Sequence, residues 1–107
     1  MTKKITKGSG NVFKDLGFEN PSEYQAKADL ALQIIRNIAD RKLTQKQAAK
    51  LIGATQPDIS KLKGGQLKGF TLDRLFSFLL KLDLSIEIRV TKPRSKLKQG
   101  LLETVEV

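Results

Sequence analysis

Apolar residues recur with helical spacing over most of this chain and with strand spacing once. From Pro21 to about Arg41 there is no Gly and no second Pro. Tyr24, Ala28, Ala31, Ile35, Ile38 and Ala39 repeat there at intervals of three and four, and Leu30, Leu32 and Ile34 widen the stripe. That pattern predicts a helix touched on more than one side. Asn20 is placed to cap it, Pro21 fits the first helical position, and Glu23 occupies the capping-box position. Arg41-Lys42-Leu43 closes it, with positive charge near the C-terminal end. Thr44 caps a second helix, Gln45 to about Ile52, ended by Gly53 where the chain turns left-handed. Thr55 caps a third, Gln56 to Lys63. Pro57 is tolerated in its first turn, and Asp58 sits at the positive end of its dipole. Gly64-Gly65 ends it, and Gln66 to Phe70 is a glycine-flanked loop. Thr71 caps a fourth helix, Leu72 to about Leu82, with Leu72, Leu75, Phe76, Leu79 and Leu82 on one face.

The rhythm then changes. Ser85-Ile86-Glu87-Ile88-Arg89-Val90-Thr91 alternates with period two and predicts a half-buried strand. A strand cannot satisfy its own backbone, so this one needs a partner. Two are available: its two-fold mate in a dimer, joined through Ile86, Ile88 and Val90, or the chain's own N-terminal segment. Thr104-Val105-Glu106-Val107 is the other strand-like stretch. The expected organisation is a flexible segment over 1–20 with a short docked turn (Val12, Phe13, Leu16, Phe18). A helical domain over 21–84, a dimerisation strand over 85–91 and a basic, mobile tail over 92–107 follow. The fold class is mainly α, with four to five helices and one C-terminal strand.

Composition narrows the function. Leu, Ile, Val and Phe make up 33 of 107 residues, enough for a folded core. There is no Cys and no His, which excludes disulfides, thiolate or imidazole metal sites, and triads that need a histidine base. Eleven carboxylates show no metal-ligand spacing, and Gly64-Gly65-Gln66-Leu67-Lys68-Gly69 lacks the Gly-Lys-Ser/Thr ending of a phosphate loop. An enzyme is not expected, nor a cofactor. No apolar run approaches a membrane span, and Met1 to Gly10 has no apolar segment behind it as a secretory signal would. The expected location is cytoplasmic, and a bacterial nucleoid-associated one in function.

The formal net charge is +9, which favours a polyanionic partner. Between Arg41 and Gly69 stand Arg41, Lys42, Lys46, Lys50, Lys61, Lys63 and Lys68 against Asp58 alone, +6 in 29 residues. That segment also holds two short helices joined at Gly53, a helix-turn-helix. Ala49 gives the small residue where the helices touch, and Ala48, Ile52, Ile59 and Leu62 are its apolar plugs. With Ile59 and Leu62 buried at 100° per residue, the opposite face of the third helix carries Pro57, Ser60 and Lys61, flanked by Gln56, Asp58 and Lys63. A helix of this kind enters the DNA major groove with its N-terminal residues at the base edges. Lys61 suits guanine, Gln56 adenine and Pro57 a thymine methyl, with Ser60 on the same face. Gln45, Lys46, Thr55, Lys63 and Lys68 are the expected phosphate contacts.

The spacing of Gln45, Ala49, Gly53, Gln56 and Ile59 resembles, without a gap, the helix-turn-helix of the phage Cro/repressor (XRE) family. Gly8 to Phe18 followed by Asn20-Pro21, the Leu43-Thr44-Gln45 step and Gly69 to Leu75 are similar to HigA-type antitoxins within that family. The resemblance implies a dimeric repressor that binds a palindromic operator in double-stranded DNA, regulates its own operon, and neutralises a RelE/HigB-like toxin. The competing reading is a module that uses the helix-turn-helix as scaffold and binds protein or RNA through its basic face. Membrane-surface binding would need a basic amphipathic helix with exposed aromatics, and none is present.

Overall fold

The computed structural model describes residues 21–92 and 102–105. Four helices lie among them: α1 (Pro21–Asp40), α2 (Gln45–Ile52), α3 (Gln56–Lys63) and α4 (Leu72–Lys81). All four match the helices expected from apolar spacing to within a residue of their ends. The residues expected as N-caps explain why the later three start where they do. The Thr44 hydroxyl accepts from the Gln47 N–H at 3.1 Å, and the Gln47 side chain accepts from the Thr44 N–H at 2.9 Å. Thr55 and Asp58 repeat this reciprocal arrangement, and Thr71 accepts from the Arg74 N–H at 3.1 Å. Each hydroxyl satisfies a donor that the helix itself leaves without a partner. The cap expected from Asn20 lies outside the described residues.

Two helices end on left-handed residues that are not glycine. Lys42 has φ 56° and Asp83 has φ 62°. The Leu43 N–H returns to the Ile38 carbonyl at 3.1 Å, and the Leu84 N–H to the Leu79 carbonyl at 3.1 Å, so both ends are hydrogen-bonded shut. Arg41 links the two ends. Its guanidinium donates to the Leu82 carbonyl and pairs with Asp83 at 3.5 Å. This basic residue, counted with the DNA-facing charges in the sequence, thus serves the junction of α1 and α4.

One compact unit spans Lys27–Ile86. Its core joins Leu30, Ile34 and Ile38 of α1 to Ala48, Ala49 and Ile52 of α2. Ile59 and Leu62 of α3 and Leu75, Phe78, Leu79 and Leu82 from α4 and its cap complete it. The loop after α3 adds Leu67 and Phe70, each 2% exposed. The glycine-flanked loop is therefore a lid on the core rather than a plain connection. The Phe70 and Phe78 rings meet edge to face at 6.2 Å, a favoured aromatic geometry. Phe78 belongs to the buried face of α4, which the sequence pattern assigned without it.

The remaining described residues, 21–26, 87–92 and 102–105, fall in a second unit. There the Leu102 N–H donates to the Ser22 hydroxyl at 3.2 Å, and Leu102 is buried. Within the stretch read as a mobile tail, this residue is docked on the first turn of α1. The strand expected over Ser85–Thr91 does not form among the described residues: 84–92 carries no regular secondary structure. The reason is physical, since a β-ladder needs a second backbone and the described chain supplies none in register. Ile86 packs partly buried against the helical core, while Ile88 is 60% and Val90 82% exposed. A strand folded back on residues 1–20 would lie outside the described residues.

Candidate nucleic-acid interface

The site is built on two eight-residue helices and the turn between them. Gly53 has φ 73°, a left-handed conformation that a side chain resists. Its N–H and that of Ala54 both return to the Ala49 carbonyl, the latter at 2.8 Å, so the turn closes the end of α2. The axis of α3 is then fixed from below. Ala48, Ile52, Ile59 and Leu62 are all buried in the shared core, and Ala49, 5% exposed, is the small residue beside them. Isolated helices of this length are marginal in water. Tertiary packing and the two capping boxes hold these.

With Ile59 and Leu62 turned inward, the outward face of α3 is set by helical geometry. Gln56, Pro57, Ser60, Lys61 and Lys63 are all exposed. Gln45 and Lys46, in the first turn of α2, are exposed, as are Thr55 and Lys68. Every side chain singled out from the sequence as a base or phosphate contact therefore reaches solvent. Thr55 is also committed locally, since its hydroxyl and N–H are both in the α3 capping box. Lys61 and Lys68 are brought together, because both line an open cleft of about 240 Å³ beside α3.

Asp58 is the feature that sequence reasoning placed least well. On a helical wheel it flanks the reading face. In the structure its carboxylate accepts from the Thr55 N–H at 3.1 Å and from the Arg74 guanidinium at 2.8 Å, both on Oδ2. Its side chain is only 14% exposed. The Thr55 backbone N–H, joined by the Thr55 hydroxyl and the Arg74 charge, holds the Asp58 carboxyl below its ordinary value of 3.8. Arg74 comes from α4, and its guanidinium lies 5.0 Å from the centre of the Phe70 ring and 5.3 Å from that of Phe78. Both distances are within cation–π range.

Arg74 and Gln66 also line the cleft with Lys61 and Lys68. Neither was singled out from the sequence. Arg74 stands sixteen residues from Asp58, beyond the three- and four-residue spacing that announces an ion pair on a helix. Arg74 shares its helix with Asp73, Ser77 and Lys81, so a charged residue there did not stand out. Among the described residues no group of His, Cys, Asp and Glu is placed to hold a metal ion, and no helix is long and apolar enough to cross a membrane.

Known proteins share this geometry. The sequence model of the helix-turn-helix domain family matches residues 12–91. The solved structure of a protein described as an XRE family transcriptional regulator superposes with a TM-score of 0.74 at 30% identity. That match covers 83% of this chain and 100% of the other. No curated protein matches significantly. A shared motif, a shared fold and nearly a third of the residues in common lead to one assignment: the chain belongs to the helix-turn-helix domain family and is of the XRE type.

Proposed function

We propose that this chain is a sequence-specific DNA-binding transcriptional regulator that acts as a dimeric repressor. The observation that carries the reading is the division of α3 into two faces. Ile59 and Leu62 are locked in the core, while Pro57, Ser60 and Lys61 stand exposed opposite them and Gln56 is exposed on the flank. A rigidly mounted helix with polar and basic side chains on its free face suits the major groove. Gln45, Lys46, Thr55, Lys63 and Lys68 set its register on the phosphates.

The dimer reading rests on the segment 85–91. Its alternating pattern and the exposed Ile88 and Val90 suit pairing with a two-fold mate, which would satisfy both backbones. Two recognition helices would then address half-sites of a palindrome about one helical turn apart. In this scheme residues 21–84 bind DNA in the cytoplasm, and 1–20 with 92–107 offer surface to a partner. The partner suggested by the HigA-type resemblance is a RelE/HigB-like toxin, with the chain as its antitoxin.

Duplex selection from a random library tests the reading. A recurring palindrome should emerge, and its affinity should fall with salt at a log–log slope of about −5 to −7, for six to eight phosphate contacts per dimer. Enrichment of no sequence, or equal competition by single-stranded RNA, would favour the scaffold reading instead. Co-purification with the product of the adjacent reading frame tests the antitoxin role.

A further inference from the structure

The segment Arg41–Gly69 carries a single acid, and it lies on the helix proposed to enter DNA. Asp58 is needed where it is, because its carboxylate completes the α3 capping box with Thr55. Yet Asp58 lines the same cleft as Lys61 and Lys68, the residues proposed to meet base and phosphate. An uncompensated carboxylate there would repel the strand those lysines attract. Coulomb energies at such range decide affinity, since two unit charges several ångströms apart at a protein surface interact by an amount worth about tenfold in binding.

Arg74 meets this problem from another helix. The Thr71 cap holds its backbone N–H, so the start of α4 is fixed. The guanidinium rests against Phe70 and Phe78, both buried in the core. From that seat it reaches Asp58 Oδ2 at 2.8 Å, the same oxygen that the Thr55 N–H uses. The cap stays negative enough to hold the helix, while its charge is matched locally.

We propose that Arg74 is a positioning residue for DNA recognition: from α4 it pairs with Asp58 in the first turn of α3 and shields that carboxylate from the DNA backbone. It contacts neither base nor phosphate. The cleft then presents the net positive charge of Lys61 and Lys68 to the strand. The inference rests on the DNA-binding reading and adds to it a residue outside the motif whose effect passes through a second residue.

A charge-swap cycle tests it, using the full chain and a duplex that the wild-type protein selects from a random library. Arg74→Gln keeps the stem over the aromatic rings and removes the charge. It should weaken binding about tenfold. Asp58→Asn leaves an oxygen to accept from Thr55 and should bind within about threefold of wild type. The double variant should recover to that same range, because the carboxylate that Arg74 shields is gone. The salt slope should be unchanged in Arg74→Gln, since no phosphate contact is lost.

Thermal melting of each variant keeps folding apart from binding, and an Arg74→Gln variant that is unfolded at the assay temperature is replaced by Arg74→Lys. Lysine gives up the guanidinium's stacking on the two rings but retains the charge that shields Asp58, and should bind within about threefold of wild type. A double variant as weak as Arg74→Gln, with a slope shallower by about one for each phosphate lost, would overturn the proposal and make Arg74 a direct contact. An Arg74→Gln variant that binds like wild type would also overturn it. If the wild-type chain selects no duplex at all, the DNA-binding reading itself fails, and the proposal fails with it.

Discussion

The helix-turn-helix over α2 and α3 and the extended segment after α4 differ in where their backbone hydrogen bonds go. In α2 and α3 the partners lie three to five residues away: Thr44 with Gln47, Thr55 with Asp58, Ala54 with Ala49. Those helices are complete within one chain. Residues 84–92 find no ladder among the described residues, and Ile88 and Val90 face solvent. Both regions have a clear apolar rhythm in the sequence. The rhythm states which face is to be buried. Only in the helix does it also imply what satisfies the backbone.

The comparison is broken most severely in the core under α3. Ile59 is 2% exposed, so Ile59→Ala should lower unfolding free energy by about 2–5 kcal/mol in urea denaturation. Val90, at 82% exposed, is the counterpart. Val90→Ala should change the stability of the isolated chain by no more than about 0.5 kcal/mol. A large loss at Val90, measured at a concentration where the chain is monomeric, would show that the extended segment is packed within its own chain.

The turn comes next. Gly53 has φ 73°, and a Cβ there would meet Lys81 Nζ at 2.8 Å. Gly53→Ala should destabilise by about 1–2 kcal/mol. The lysine end is flexible, so adding Lys81→Ala should recover little, which separates backbone strain from crowding. Thr55→Ala removes one half of the α3 capping box and should cost about 1 kcal/mol. Urea midpoints check both.

The smallest effect is one of pH. Asp58 has a folded pKa below its ordinary value of 3.8, because the Thr55 N–H and Arg74 favour the charged form. The stability this contributes is fully present above pH 3.8 and is lost as the pH falls through the lower folded value. An acid titration of Asp58→Asn should lack that component, and an identical acid profile would show that the cap does not depend on the charge.

What the sequence made legible follows the same division. Thr44, Thr55, Thr71 and Gly53 could be placed because caps and left-handed turns are local chemistry written in one or two residues. Ile59 and Leu62 could be placed because helical spacing fixes the opposite face, and with it the exposed Pro57, Ser60 and Lys61. Leu67 and Phe70 escaped notice because a loop has no period, so nothing marks which of its residues turn inward. Lys42 and Asp83 end helices in the left-handed region without the glycine that usually announces it. Arg74 escaped because its partner lies on another helix, and Arg41 was counted with the outward charges for the same reason.

The central claim is that the free face of α3 reads DNA while its buried face holds the helix in place. The most direct test is the affinity of Lys61→Ala and Gln56→Ala for a duplex selected by the wild-type chain, beside an unrelated duplex of equal length. The account predicts that each variant loses about tenfold or more on the selected duplex and much less on the unrelated one, with helical circular dichroism and melting temperature unchanged. Wild-type affinity and wild-type preference in both variants would contradict it.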